Sequence, residues 1–271
     1  MRGASADARA TLVEHLDEVL DAATAKAAAT LGNELFAVAG LLDSEPRLRR
    51  AVTDPATPGE ARAELIGRIL GDRVSDPTAE AVRTAVARRW SASRDLADSL
   101  EHAGALAHVA AADDAGRLDE VEDELFRFGR IVAGNRELRE VLGARSTPLE
   151  GRQQLVDGLL SGKATPETRS LAVQAAAGRH RSMAAGLQEF GRIAAQRRDR
   201  AVATVTVARP LTARQTTKLG DALATEYGRQ VHLNVIVDAA VLGGVRVEIG
   251  DEVVDGTMHT RLEIVRRSLT G

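Results

Sequence analysis

Residues 34–70 read ELFAVAGLLDSEPRLRRAVTDPATPGEARAELIGRIL, and residues 124–160 read ELFRFGRIVAGNRELREVLGARSTPLEGRQQLVDGLL. Set side by side at an offset of 90 with no gap, they share 11 identities in 37 positions. Glu34-Leu35-Phe36 falls on Glu124-Leu125-Phe126, Leu48-Arg49 on Leu138-Arg139, and Thr57-Pro58 on Thr147-Pro148. Glu60, Arg62, Leu65 and Leu70 fall on Glu150, Arg152, Leu155 and Leu160. Ordinary residue frequencies would give roughly two or three such matches. Further positions exchange one apolar residue for another, among them Leu41/Ile131, Val52/Leu142 and Ile66/Val156. An internal repeat of this length makes the two segments copies of one fold.

The chemistry inside each copy is helical. Thr57-Pro58-Gly59-Glu60 and Thr147-Pro148-Leu149-Glu150 read as capping boxes, with proline at the first helical position. Apolar residues follow at helical spacing: Leu65, Ile66, Ile69, Leu70 and then Leu155, Val156, Leu159, Leu160. Ser75-Asp76-Pro77 and Thr165-Pro166-Glu167 begin a second, Ala-rich helix in each copy. Leu12, Leu16, Val19 and Leu20 form the opening stripe of the first copy; Leu100, Leu106 and Val109 open the second, ahead of a break at Asp113-Asp114-Ala115-Gly116. The helix over 94–112 closes the first bundle, opens the second, or does both.

Beyond residue 200 the period changes. Residues 201–208, AVATVTVA, are rich in β-branched residues and predict a strand. Thr212 to Gln215 is a capping box for a helix to about Tyr227. Alternation over Val231–Val237 and Val245–Ile249 predicts two more strands, and Leu262, Ile264, Val265 and Leu269 predict a final amphipathic helix. The expected fold is therefore mainly α: a first bundle over 1–97, its copy over 98–200, and a small α/β module over 201–271.

Composition fits closely packed helices. Of 271 residues, 44% are apolar but only 2% aromatic, so the core must rest on Ala, Leu, Val and Ile. A net charge of −3 argues against a dedicated nucleic-acid binder. Residues 179–200 do hold six arginines against Glu189 and Asp199, which reads as the solvated last turns of a helix or as an anionic-lipid contact. With no Cys there is no disulfide, thiolate metal site or Cys nucleophile. No apolar run is long enough to span a bilayer, and the N-terminus lacks a signal-peptide core, so a soluble protein of a reducing compartment is expected.

The search for catalytic chemistry finds little. The six histidines, at 15, 102, 108, 180, 232 and 259, make no helical His/Glu zinc pattern. There is no nucleophile elbow and no Walker loop. Asp113-Asp114 and Asp251-Glu252 lie in expected turns and read as solvated carboxylates. Gly243-Gly244 and Gly250 would serve either as an anion nest or as strand turns that need φ > 0; the clean alternation around them favours turns. No metal or cofactor is expected.

Residues 241–257, VLGGVRVEIGDEVVDGT, running on to Arg261-Leu262-Glu263, resemble the C-terminal signature of the delta subunit of bacterial F-type ATP synthase, the oligomycin-sensitivity-conferring protein family. The residues that carry the resemblance are Gly243, Gly244, Gly250, Asp251, Asp255, Gly256 and Arg261. Residues 116–125, GRLDEVEDEL, and 135–142, NRELREVL, are similar to helical segments of the same family. Residues from about 98 onward resemble a whole delta subunit, and residues 1–97 an extra copy of its bundle. The resemblance implies a non-catalytic peripheral-stalk subunit, present once in a hetero-oligomer on the cytoplasmic face of the membrane. Its implied partners are N-terminal helices of alpha subunits, the C-terminal region of b and other synthase subunits, with no nucleic acid and no membrane insertion. It also implies a groove between the first and fifth bundle helices: Leu106, Val109 and Ala110 facing Leu171, Ala172 and Ala175. Each of these fits plain bundle core equally well. The repeat extends the expectation to two such grooves. A helical scaffold for other amphipathic partners is the alternative.

Overall fold

The computed structural model describes residues 3–144, 146–200, 202–227, 231–238, 244–249 and 252–255. The chain divides into two compact units, 1–194 and 195–271. In the first lie α1 (Ala4–Asp21), α2 (Ala25–Ser44), α3 (Pro46–Ala51), α4 (Gly59–Leu70) and, after a 3-10 turn, α5 (Asp76–Ala87). There follow α6 (Ser93–Asp114), α7 (Leu118–Gly134), α8 (Arg136–Gly143), α9 (Leu149–Leu160), α10 (Pro166–Ala175) and α11 (Met183–Arg200), whose last residues, from 195, fall in the second unit.

The offset of 90 governs these bounds. It carries both ends of α4 onto α9 and the first residue of α6 onto that of α11. It also carries α1 onto α6, so α6 fills two places in the repeat: last helix of the first bundle and first helix of the second. Its sequence serves both. Leu96, Ala97, Leu100, Ala103, Ala107 and Ala110 face the first core, while Ala105, Val109 and Ala112 face the second. A helix buried on both sides needs small residues around most of its circumference, and the Ala-rich stretch supplies them. Where α2 crosses α6, Gly32 and Gly104 oppose each other. A Cβ on Gly104 would stand 2.6 Å from the Phe36 ring, and one on Gly32 would stand 2.7 Å from His108. Close packing of two backbones leaves no room for a methyl group there.

The helix starts differ in part from the sequence expectation. α4 and α9 begin at Gly59 and Leu149 with Pro58 and Pro148 in the capping position, and neither start has a side-chain cap. Thr57 lies one residue too early, in the preceding turn, and its hydroxyl turns to Asp54 instead. The second start in each copy is capped from a distance. Glu34 accepts hydrogen bonds from the Ser75 amide at 3.0 Å, the Ser75 hydroxyl at 2.6 Å and the Thr78 hydroxyl. Ninety residues on, Glu124 accepts from the Thr165 amide at 3.0 Å and the Thr165 hydroxyl at 2.8 Å. A carboxylate at a helix N-terminus meets both the orphan amides and the positive end of the dipole. Asp114, expected in a solvated turn, is the last residue of α6 and accepts from the Ala25 amide at 2.8 Å, which caps α2. Gly116 then turns the chain at φ 66°.

The second unit holds β1 (Val202–Val207), α12 (Ala213–Tyr227), β2 (His232–Val237), β3 (Val245–Ile249) and β4 (Glu252–Asp255). The four-stranded sheet has the order β2-β1-β3-β4, with β1 parallel to β2 and antiparallel to β3. Ala203, Val205 and Val207 point into its core beside Val247, Ile249 and Leu223, as a period of two requires. Thr212 and Gln215 cap α12 reciprocally: the Thr212 amide donates to Gln215 at 2.9 Å and the Gln215 amide to Thr212 at 3.4 Å. β4 pairs with β3 and was not foreseen as a strand. Its four residues, EVVD, are too few to display a period. The final helix expected around Leu262–Leu269 lies outside the described residues, as do Gly243, Gly250, Asp251, Gly256 and Arg261. Gly244 enters β3 at φ 93°, a conformation that suits glycine. Asp255 closes β4 opposite Arg246.

Candidate partner-binding grooves

No cluster of three or more potential metal ligands occurs among the described residues, nor any helix long and apolar enough to cross a membrane. The surface of the helical unit offers grooves instead. One, of about 740 Å³, runs between α2, α9 and α10; Phe36, Ala37, Gly40, Ser170, Val173 and Ala177 line it together with polar residues such as Asn33, Gln153 and Arg169. Another, of about 640 Å³, lies between α7, α8 and α9, with Ile131, Val141, Leu155 and Leu159 on its walls.

The residues named from the resemblance are brought together, but as interior. Val109, Leu171, Ala172 and Ala175 belong to the second core, Leu106 packs against it, and Ala110 belongs to the first core. All but Leu106 are at most 4% exposed. The expected helix α10 does wall a groove, through its neighbouring face of Ser170 and Val173, with Ala177 of the following turn. The facing wall is α2, from the extra copy, because Phe36 fills the space over α6. Its ring stacks on His108 at 5.3 Å and reaches Phe190 at 6.4 Å. Sequence periodicity identifies the helix but not which of its apolar faces is already covered.

The six arginines of residues 179–200 do not form one patch. Arg179, only 4% exposed at its side chain, pairs with Asp43, Asp98 and Glu101. The same Glu101 accepts from Gln174 at 2.7 Å and lies 3.3 Å from His180. Burial alone would raise the Glu101 pKa, but these partners hold it below the usual carboxylate range. His180 is raised, chiefly by its close contact with the Glu101 carboxylate. Arg192 is paired with Glu189 at 2.6 Å. The cluster joins α2, α6 and the α10–α11 turn, and thereby both copies. Further along the surface, Phe126, Ile131, Val141, Leu149, Leu155 and Leu159 are large, apolar and 37% to 63% exposed. None was singled out from sequence as a contact. The only signal was that α7 and α9 carry more apolar residues than one buried stripe uses.

Comparison with known proteins agrees with this architecture. The profile of the family described as ATP synthase delta (OSCP) subunit matches residues 99–269, from within α6 onward. The chain is 49% identical over 268 residues to ATP synthase subunit delta of Streptomyces avermitilis, covering 98% of each chain. It is 46% identical to the same subunit of Beutenbergia cavernae and 42% identical to that of Thermobifida fusca, covering all of both partners in each case. The extra N-terminal copy is thus part of these relatives too. With its helical repeat, its small mixed sheet and this full-length similarity, the chain belongs to the ATP synthase delta (OSCP) subunit family, as a non-catalytic component of the peripheral stalk that works among other subunits of the synthase.

Proposed function

We propose that the helical unit grips amphipathic N-terminal helices of alpha subunits in the catalytic head, while the C-terminal unit holds the end of the b stalk at the cytoplasmic face of the membrane. One copy of the chain per complex would then keep the head from turning with the rotor, so that proton flow drives ATP synthesis. The observation that carries this reading is a surface of apolar grooves walled by helices, the geometry that accepts the apolar face of another helix. A stator contact must resist torque, so it needs affinity and rigidity but no reacting group. The groove beside α10 is the seat we assign to such a helix, with Val173 and Ala177 as contacts and α2, in place of the expected first helix α6, as its second wall. Exposed Ile236, Val237 and Val253 give the C-terminal unit apolar surface of its own for the b stalk.

The test is deletion of the chain followed by add-back of the purified protein. Membranes lacking it should hydrolyse ATP but fail to pump protons with it, and add-back should restore pumping. Undiminished ATP-driven pumping after deletion would refute the proposal.

A further inference from the structure

The two copies differ in one respect that their shared fold does not require. Among the described residues of the helical unit, the large apolar side chains that stand more than a third exposed are Phe126, Ile131, Val141, Leu149, Leu155 and Leu159. All lie in the second copy. At the same repeat positions the first copy holds Phe36, Leu41, Ala51, Gly59, Leu65 and Ile69, and none of these is a large, exposed apolar side chain. Gly59 shows why one of them cannot be: a Cβ there would stand 2.4 Å from the Ala87 carbonyl oxygen, whereas Leu149 points outward. The first copy folds with the same helix order and the same carboxylate caps, so the exposure is not a condition of folding. Four of the six, Ile131, Val141, Leu155 and Leu159, line one trough, and an exposed apolar surface of this kind marks an interaction site.

The chemistry of the trough between α7, α8 and α9 selects its occupant. Its walls are helices with no strand edge to extend, and it lacks the convergent polar groups that orient a small ligand. Its rim carries Lys163 and Glu137, neither of which is paired with another side chain among the described residues. The other rim charges are engaged: Glu124 with Thr165, and Arg127 with Asp123. We infer that this trough seats one amphipathic helix donated by the catalytic head, with an apolar i, i+3, i+4, i+7 stripe flanked by an acidic residue for Lys163 and a basic residue for Glu137. The first copy has no equivalent seat, so the tandem repeat offers one such site and not two. This inference rests on the reading that the helical unit binds helices of the head.

The test measures binding of the full chain to the isolated catalytic head. Ile131→Glu combined with Leu155→Glu should weaken binding by about tenfold or more, because both changes put a charge into the apolar contact. Both positions are exposed, and a wild-type circular dichroism melt would verify that the variant folds. Ala51→Glu, at the first-copy position matching Val141, should leave binding within about twofold. Lys163→Glu should weaken binding severalfold at low salt and much less at high salt. If the double variant binds like wild type, or Ala51→Glu weakens binding as much, the inference is overturned while the stalk reading stands. If the wild-type chain does not bind the head at all, the stalk reading itself fails.

Discussion

His108 shows how far one residue can depart from its ordinary chemistry. It is 1% exposed, stacked on Phe36, and neither ring nitrogen has a hydrogen-bond partner. Burial pushes its pKa down to about 4. The unfolded chain takes up a proton below about pH 6.5, and the folded chain refuses it until about pH 4, so acidification between those values favours unfolding. His102, also held at about 4 by burial and then by Arg9, acts in the same direction. His180 acts in the opposite direction. Its raised pKa adds stability below its unfolded value, and that contribution fades as pH rises through the folded one. The His108 contribution alone makes the fold less stable by about 2 kcal/mol at pH 5 than at pH 7.5. Urea midpoints measured across that range should therefore fall for the wild type and fall distinctly less for His108→Leu. Parallel pH slopes for the two proteins would contradict the assignment.

At the scale of elements, side chains that reach across from another helix join the helices, beside local caps such as Thr24, Asn135 and Thr165. Glu34 and Glu124 each close the start of a helix 41 residues further on. Arg62, 3% exposed, donates to the carbonyls of Asp54, Ala87 and Arg88 at 2.7–3.1 Å and ties the end of α5 to the start of α4. Arg179 is the most consequential of these links because its partners come from α2 and α6. Replacing it with Leu takes the guanidinium from Glu101, 6% exposed, and leaves that carboxylate only His180 at 3.3 Å, while Asp43 and Asp98 keep Arg49 and Arg94 at 3.5 and 3.7 Å. Removing one partner of a buried ion pair costs about 3–5 kcal/mol. Because these other cations remain, thermal melts of Arg179→Leu at pH 7.5 should show a loss toward the lower end of that range. Arg179→Lys should not restore stability, because one ammonium cannot meet three carboxylates with the spread of a guanidinium. A loss below about 1 kcal/mol in the Leu variant would mean the cluster adds little.

At the scale of the whole molecule, sharing α6 makes the helical unit one body and not two beads. A cut between residues 97 and 98 falls inside α6 and removes Leu100, Ala103, Ala107 and Ala110 from the first core. A fully buried Leu alone contributes about 2 kcal/mol. Fragment 1–97 should therefore lack a cooperative melt, while fragment 1–116, which keeps all of α6 and its turn, should regain one. A sharp transition in fragment 1–97 would show that α6 is dispensable to the first bundle. For a stator, one rigid body is an advantage, since a flexible link between copies would absorb torque as bending.

The sequence by itself determined the repeat, the helical character of both copies and the change to a sheet after residue 200, because these follow from spacings along the chain: 3.6 in helices, 2 in strands, 90 between copies. It did not reveal that Glu34 and Glu124 cap distant helices, and it left open whether α6 serves both bundles and whether Val109 and Leu171 are interior while Ile131 and Leu155 face outward. Those depend on which apolar face meets which neighbour. Apolar residues that line a groove and apolar residues that fill a core have the same period and the same side chains. Only tertiary packing decides which of them are covered, because burial is a property of the neighbour as much as of the residue itself.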